Sequence, residues 1–188
     1  MGMRAVMLQV PEYLLEERRR KGLDRLDEMW EGVLHIVPPP SFAHQRLGSE
    51  LLVALKPFAN GKGLSIVYET GVYRSDRDYR VPDLVVHRSG QESERGIERG
   101  PEMVIEIRSP NDEIYEKLPF YESMGVREVF VIDPATAVIE LFVLRGGKLL
   151  PAVPDSSGVL RSEVLGVGLR STGTKVVLVT SDGERALQ

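Results

Sequence analysis

Two acidic residues and one lysine sit where the chain should be burying hydrocarbon. In the run Val81-Pro82-Asp83-Leu84-Val85-Val86-His87 the acid Asp83 is set among apolar neighbours. In Met103-Val104-Ile105-Glu106-Ile107 the acid Glu106 interrupts a second apolar stretch. Near-continuous apolar runs belong to strands covered on both faces. A carboxylate inside one must be paired, hydrogen-bonded or metal-bound, because an uncompensated buried charge is very costly. Lys117 is the third oddity. Ile114, Phe120, Tyr121 and Met124 lie at spacings −3, +3, +4 and +7 from it, which puts it on or beside the apolar stripe of a helix.

Two inward carboxylates with a backbone carbonyl suit the hard cations Mg²⁺ or Mn²⁺. Such a cation polarises a phosphodiester, lowers the pKa of its bound water and neutralises charge developing on phosphorane oxygens. A desolvated lysine beside it can orient or deprotonate the attacking water, or hold a phosphate oxygen. The same side chains could instead form a buried structural salt bridge, Lys117 with Asp83 or Glu106, since ion-pair networks also place charge inside. Patterning alone leaves the two readings balanced.

The elements that must position these residues follow from periodicity and punctuation. Pro11 to Lys21 reads as a first helix, stopped by Gly22, whose basic end at Arg18, Arg19, Arg20 and Lys21 suits the helix dipole. A short strand is expected at Val33–Val37. Ser41 is a good N-cap for a second helix over Phe42–Leu55, ending before Pro57. Its inward stripe is Leu47, Leu51 and Leu55. Strands are expected at Leu64–Tyr68, Gly71–Arg74, Val81–His87 and Met103–Ile107, with a loop over 88–100. A third helix is expected over Asn111–Met124, and Pro119 inside it threatens to kink it and shift Lys117. Two more strands, Glu128–Ile132 and Ala137–Leu144, surround an Asp133-Pro134-Ala135-Thr136 turn, and further β-structure fills 148–179. The sum is an α+β fold, an α/β/α-like arrangement of helices packed on one mixed β-sheet.

Composition narrows the function classes. The chain has 188 residues, a formal net charge of −4 and no cysteine, which excludes a disulfide framework, a thiolate metal site and a thiol nucleophile. Three histidines, His35, His44 and His87, limit imidazole sites, so oxygen is the expected metal donor. The acidic balance argues against a general coat of nucleic-acid affinity, though Arg74, Arg77, Arg80 and Arg108 flank the acids and could line a phosphate track. No apolar run approaches a membrane span and no signal pattern opens the chain; no membrane association and a cytoplasmic location are expected. One domain over 1–188 is the simplest division, with a core of about 10–145 and a C-terminal β-region of about 146–182. Edge strands and the apolar C-terminal sheet could support a homodimer.

V-P-D-L-V-V, V-I-E-I-R-S-P and E-K-L-P-F-Y-E-S-M-G-V-R-E-V-F-V-I-D-P, preceded by D-E-M-W-E-G-V-L and P-P-P-S-F-A-H-Q, together resemble a bacterial family of restriction-endonuclease-like proteins. That family is a domain of unknown function within the PD-(D/E)XK nuclease superfamily. The resemblance implies a restriction-endonuclease-like core acting on nucleic acid, DNA first, with Asp83 and Glu106 as metal-binding acids and the Ile107 carbonyl as a further ligand. The superfamily lysine normally follows the glutamate by two residues; here that position is Arg108, and Lys117 is the position matching the displaced lysine of this family. Glu28 matches the N-terminal acid, a supporting or second-metal ligand, and Tyr121 could orient Lys117. His44, on the inward stripe of the second helix, is either a hydrogen-bonded core histidine or a contact to phosphate or metal-bound water. His87, in phase with Asp83 and Val85, could line the same face. The expectation is a metal-dependent nuclease using a metal-activated water. The alternative is a non-catalytic protein that keeps the nuclease fold for binding or regulation.

Overall fold

The computed structural model describes residues 5–110 and 112–187. The chain opens with β1 (Ala5–Met7), α1 (Glu12–Lys21), β2 (Glu28–Trp30), β3 (Val33–Ile36) and α2 (Phe42–Gly61). Then come β4 (Ser65–Tyr68), β5 (Val72–Ser75), β6 (Asp78–Arg80), β7 (Leu84–His87), β8 (Met103–Ile107) and α3 (Ile114–Ser123). The C-terminal half is β9 (Glu128–Ile132), β10 (Ile139–Arg145), β11 (Lys148–Pro151), β12 (Leu160–Ser162), β13 (Val167–Ser171), β14 (Val176–Thr180) and β15 (Gly183–Leu187).

Local chemistry sets the helix boundaries. Gly22 closes α1 in the left-handed conformation, φ 63°, which costs glycine no Cβ clash. The Ser41 hydroxyl accepts the His44 N–H at 3.3 Å and caps α2. Contrary to the expected stop before Pro57, α2 runs through it to Gly61. Proline removes the hydrogen bond to the Val53 carbonyl, but Val53 and Pro57 both lie on the exposed side, where water can take that carbonyl. Ala54, Leu55 and Ala59 stay buried and hold the last turns down. The third helix was expected from Asn111, which lies outside the described residues; it runs Ile114–Ser123, and Pro119 does not end it.

The strands form three sheets rather than one. A five-stranded sheet has the order β1-β3-β2-β6-β5, a six-stranded one β11-β10-β9-β8-β7-β4, and a four-stranded one β12-β13-β14-β15. The six-stranded sheet is mixed, with β8 and β9 parallel and its other pairs antiparallel. The strands missed at Ala5–Met7, Glu28–Trp30 and Asp78–Arg80 are three residues long, too short to show a period of two.

Alternation along the central strands sorts their side chains between two cores. Met103, Ile105 and Ile107 of β8 join Leu47, Leu51 and Leu55 of α2, together with Leu160, Leu169 and Leu178 of the four-stranded sheet. Val104 of β8, with Val85 and Val129, packs instead against Ile114, Phe120 and Tyr121 of α3. Helices thus flank the mixed sheet on both faces. Glu106 has the parity of Val104, so it points towards α3. No helix among the described residues is long and apolar enough to cross a membrane.

Glu128 fastens the four-stranded sheet to the central one. Its carboxylate is 2% exposed and accepts the Ser162 hydroxyl at 2.5 Å and the Glu163 N–H at 2.7 Å. Glu128→Ala should leave these buried donors without an acceptor and cost about 2–3 kcal/mol of unfolding free energy. Urea denaturation of the two proteins checks this; an unchanged midpoint would show that the clasp contributes nothing.

Candidate active site

Four segments far apart in sequence deliver acids and one lysine to the α3 face of the central sheet. Glu28 comes from the start of β2 and Glu106 from β8. Lys117 and Tyr121, one turn apart, come from α3. Asp83 does not lie within a strand as expected; it precedes β7, in the break that Pro82 makes after β6. Its carboxylate accepts the Ile107 N–H at 2.6 Å, which pulls it across to β8, and its carbonyl accepts the Glu69 N–H at 2.8 Å.

The Lys117 ammonium lies 2.7 Å from Glu28 Oε1 and 3.1 Å from Glu106 Oε1. The Tyr121 hydroxyl donates to Glu106 Oε1 at 2.5 Å, so Tyr121 holds the acid rather than the lysine. His44 Nε2 sits 3.4 Å from Asp83 Oδ1, while its Nδ1 is buried without a hydrogen-bond partner among the described residues. Glu28, Glu106 and Lys117 are 1%, 3% and 7% exposed. Asp83, with a side chain 14% exposed, is the member nearest solvent.

Three carboxylates therefore face one ammonium in a dry environment. Burial works against the charge on Lys117, but Glu106 and Glu28 together outweigh it and hold its proton affinity above the ordinary lysine range. Lys117 is thus an ammonium donor at neutral pH and not a base. Burial also pushes Glu28 upwards, yet Lys117, the Val81 N–H and the Trp30 indole together keep it below the usual carboxylate range. Glu106 has fewer donors. Burial, reinforced by the charges of Asp83 and Glu28, pushes it up to about 7 despite Lys117. Burial opposes protonation of His44, but Asp83 and the Ile107 carbonyl raise its pKa overall.

One residue of the site, Trp30, escaped the sequence reading. Trp30 donates its indole N–H to Glu28 Oε2 at 2.8 Å. The Arg80 guanidinium lies between the rings of Trp30, at 4.4 Å, and Phe120, at 4.3 Å. Arg80 is 5% exposed and bonded to the Met29 carbonyl and Asp78, so it lines no phosphate track. The one signal for Trp30 was its position two residues after Glu28, on the same side of a strand. Other candidates stand apart. Arg108 points to Asp133, 3.9 Å away, and over Tyr115. His87 sits at the far end of β7, with Nδ1 3.0 Å from the Arg88 carbonyl. Arg74 pairs with Asp78 and Glu31.

The residues fit a hard divalent cation by donor chemistry. Asp83 accepts the Ile107 N–H and Glu106 is the next residue along β8, so carboxylate and main-chain oxygens of the kind such a cation prefers come from neighbouring positions, and the surplus negative charge is what it would offset. No three His, Asp or Glu side chains among the described residues group closely enough to hold a metal by themselves, so a main-chain oxygen or waters would have to complete the shell.

A family model described as "Putative restriction endonuclease", Uma2, matches residues 10–173. The chain belongs to the Uma2 family. A solved structure of a "putative nuclease belonging to DUF820" from Anabaena variabilis ATCC 29413 matches with a TM-score of 0.62 at 18% identity, over 74% of this chain and 83% of that one. At that identity the likeness establishes the fold. The DrdV–DNA complex matches with a TM-score of 0.33 at 14% identity, over 57% of this chain and 11% of that one. No curated protein matches. A restriction-endonuclease-like fold and a nuclease-like function follow for this Uma2 member.

The raised proton affinity of Glu106 predicts a pH signature for the cation-free protein. Glu106 binds its proton more tightly folded than unfolded, so its contribution to stability is full below about pH 4.5 and is lost as the pH rises through about 7. Melting temperatures with a chelator present, from pH 4.5 to 8, should show wild type losing ground to Glu106→Gln across that window. Parallel curves would mean that Glu106 titrates normally.

Proposed function

We propose that this chain is a divalent-cation-dependent nuclease, hydrolysing nucleic-acid phosphodiesters, with DNA as the first substrate to test. The convergence of Glu106 and Lys117 beside the partly exposed Asp83 carboxylate carries the reading. Asp83, Glu106 and the Ile107 carbonyl would hold Mg²⁺ or Mn²⁺. Bound there, the cation would polarise the phosphodiester and make its water acidic enough to attack near neutral pH.

The chain's own residues do the rest. The Ile107 N–H, at 2.6 Å, keeps Asp83 turned towards β8. The Tyr121 hydroxyl and Lys117 fix the Glu106 rotamer from the α3 side. Lys117 remains cationic between Glu28 and Glu106 and supplies positive charge next to the reacting phosphate. Deprotonation of the water falls to no lysine here, because the two acids raise the proton affinity of Lys117. His44, in contact with Asp83, borders the same end of the site.

One observation favours the alternative, a nuclease fold kept for binding or regulation: Lys117 is enclosed at ion-pair distance from two acids. A structural salt bridge would look the same. Calorimetry with Mg²⁺ and Mn²⁺ separates the readings: wild type should give binding heat and Asp83→Asn should not, whereas negligible heat in both favours the non-catalytic protein.

In plasmid and oligonucleotide cleavage, Asp83→Asn, Glu106→Gln and Lys117→Met should each lose about 100-fold or more of kcat/KM. A chelator should abolish cleavage and Mn²⁺ restore it. Wild-type cleavage that persists in a chelator would defeat the cation-dependent reading.

A further inference from the structure

A guanidinium is a costly group with which to fill a gap inside a protein. The Arg80 side chain is buried, and its Nη1 donates to the Met29 carbonyl at 3.0 Å, to Asp78 Oδ1 at 3.0 Å and to the Tyr79 carbonyl at 3.1 Å. Its Nε is buried with no hydrogen-bond partner among the described residues. An apolar side chain of similar length would occupy the space without dehydrating a charge, and such replacements of buried ions are often neutral or stabilising. Stability alone therefore does not account for Arg80. What a guanidinium has and a hydrocarbon chain lacks is a flat cationic face, and here that face meets two rings, Trp30 at 4.4 Å and Phe120 at 4.3 Å.

Sheet register puts Arg80 next to the acids. Glu28 of β2 pairs with His35 of β3, and Met29 pairs with Tyr79 of β6, so Glu28, His35 and Arg80 share one face of the sheet. Trp30, two residues after Glu28, lies on that face as well. His35 stacks on the indole with centroids 4.1 Å apart and planes 15° apart, and Arg80 comes from the strand on the other side. Held between them, the indole cannot turn, and its N–H stays on Glu28 Oε2 at 2.8 Å. That leaves Glu28 Oε1 to meet the Lys117 ammonium at 2.7 Å and the Val81 N–H at 3.0 Å. Phe120, on the guanidinium's other contact, belongs to α3, the helix that carries Lys117.

We propose that Arg80 is a positioning residue: it clamps Trp30, the indole fixes Glu28, and Glu28 fixes where Lys117 presents its charge. This deepens the nuclease reading above and rests on it. With the clamp closed, Lys117 stays beside Glu106 instead of following a Glu28 carboxylate free to swing. Losing the clamp misplaces a charge that acts in the transition state, so it lowers kcat and leaves KM little changed.

Two substitutions open the clamp at different points. Arg80→Lys keeps the charge and loses the flat face, whereas Trp30→Phe keeps a ring and loses the N–H. In oligonucleotide cleavage with Mn²⁺, at a temperature where melting curves show each protein folded, each should lower kcat about tenfold. Because both act through one bond, the double variant should be no slower than the slower single one. Should Arg80→Lys fail to fold, Arg80→Met takes its place. Wild-type kcat in either single variant, a loss confined to KM, or losses that multiply in the double variant overturns the proposal and leaves the nuclease reading standing. If wild type cuts nothing, the nuclease reading fails and the clamp is judged by magnetic resonance. Trp30 is the chain's single tryptophan, so its indole N–H gives one signal in a nitrogen–proton correlation spectrum. Arg80→Lys should move that signal towards its position in Glu28→Gln; a signal that stays at the wild-type position overturns the clamp.

Discussion

The structure turns on a surplus of negative charge in a place with little water. Glu28, Asp83 and Glu106 share one ammonium, that of Lys117. Charges this deep are tolerated only when each finds partners. Glu28 has the most complete set, with the lysine, a main-chain N–H and the Trp30 indole. Glu106 is left with the lysine and a tyrosine, and its proton affinity rises accordingly. An arrangement that costs stability in this way is expected where function demands it, and a cation held at the Asp83 end is the simplest way to relieve it.

The fold holds that surplus in place by parity and by stacking. On β8 every second residue feeds the α2 core, so the residue between Ile105 and Ile107 must face α3. There α3 meets it with Lys117 and Tyr121 from successive turns. Between β2 and α3 the gap is filled by Arg80, flat between Trp30 and Phe120. Trp30 also stacks on His35 with ring centroids 4.1 Å apart, and His35 Nδ1 lies 2.9 Å from Glu113, at the N-cap of α3. The strand that carries Glu28 and the helix that carries Lys117 are thus joined by aromatic and cationic layers, which accounts for the short Lys117–Glu28 contact.

Much of this was legible in sequence because it broke local rules. Asp83 and Glu106 stood out against apolar neighbours, and Lys117 lay on an apolar helical stripe; the structure brings all three together. Glu28 and Tyr121 were reached through family resemblance, and both lie in the cluster. Ser41 and Gly22 marked helix ends by their own chemistry. Pro57 misled, since the carbonyl it frees faces water and the buried Ala54, Leu55 and Ala59 hold the last turns in place. Arg80 misled in the other direction. Arginines are mostly exposed, and nothing local to β6 shows that two aromatic rings from other segments will enclose this one. Arg108 occupies the superfamily's lysine position yet turns towards Asp133 and Tyr115.

Local patterning settled which residues must be buried, which burials would be costly, where the first two helices begin and that strands and helices alternate around a mixed core. Those are properties of neighbours along the chain, expressed through periodicity, caps and the cost of dehydrating charge. Only the tertiary structure decided that the strands divide into three sheets, that Glu106 rather than Glu28 holds its proton more tightly, and that Lys117 is an ammonium shared between them. Sheet partition depends on which short strands find each other, and proton affinity depends on the donors and charges around each group. Both are set by contacts between segments dozens of residues apart, which no local pattern encodes.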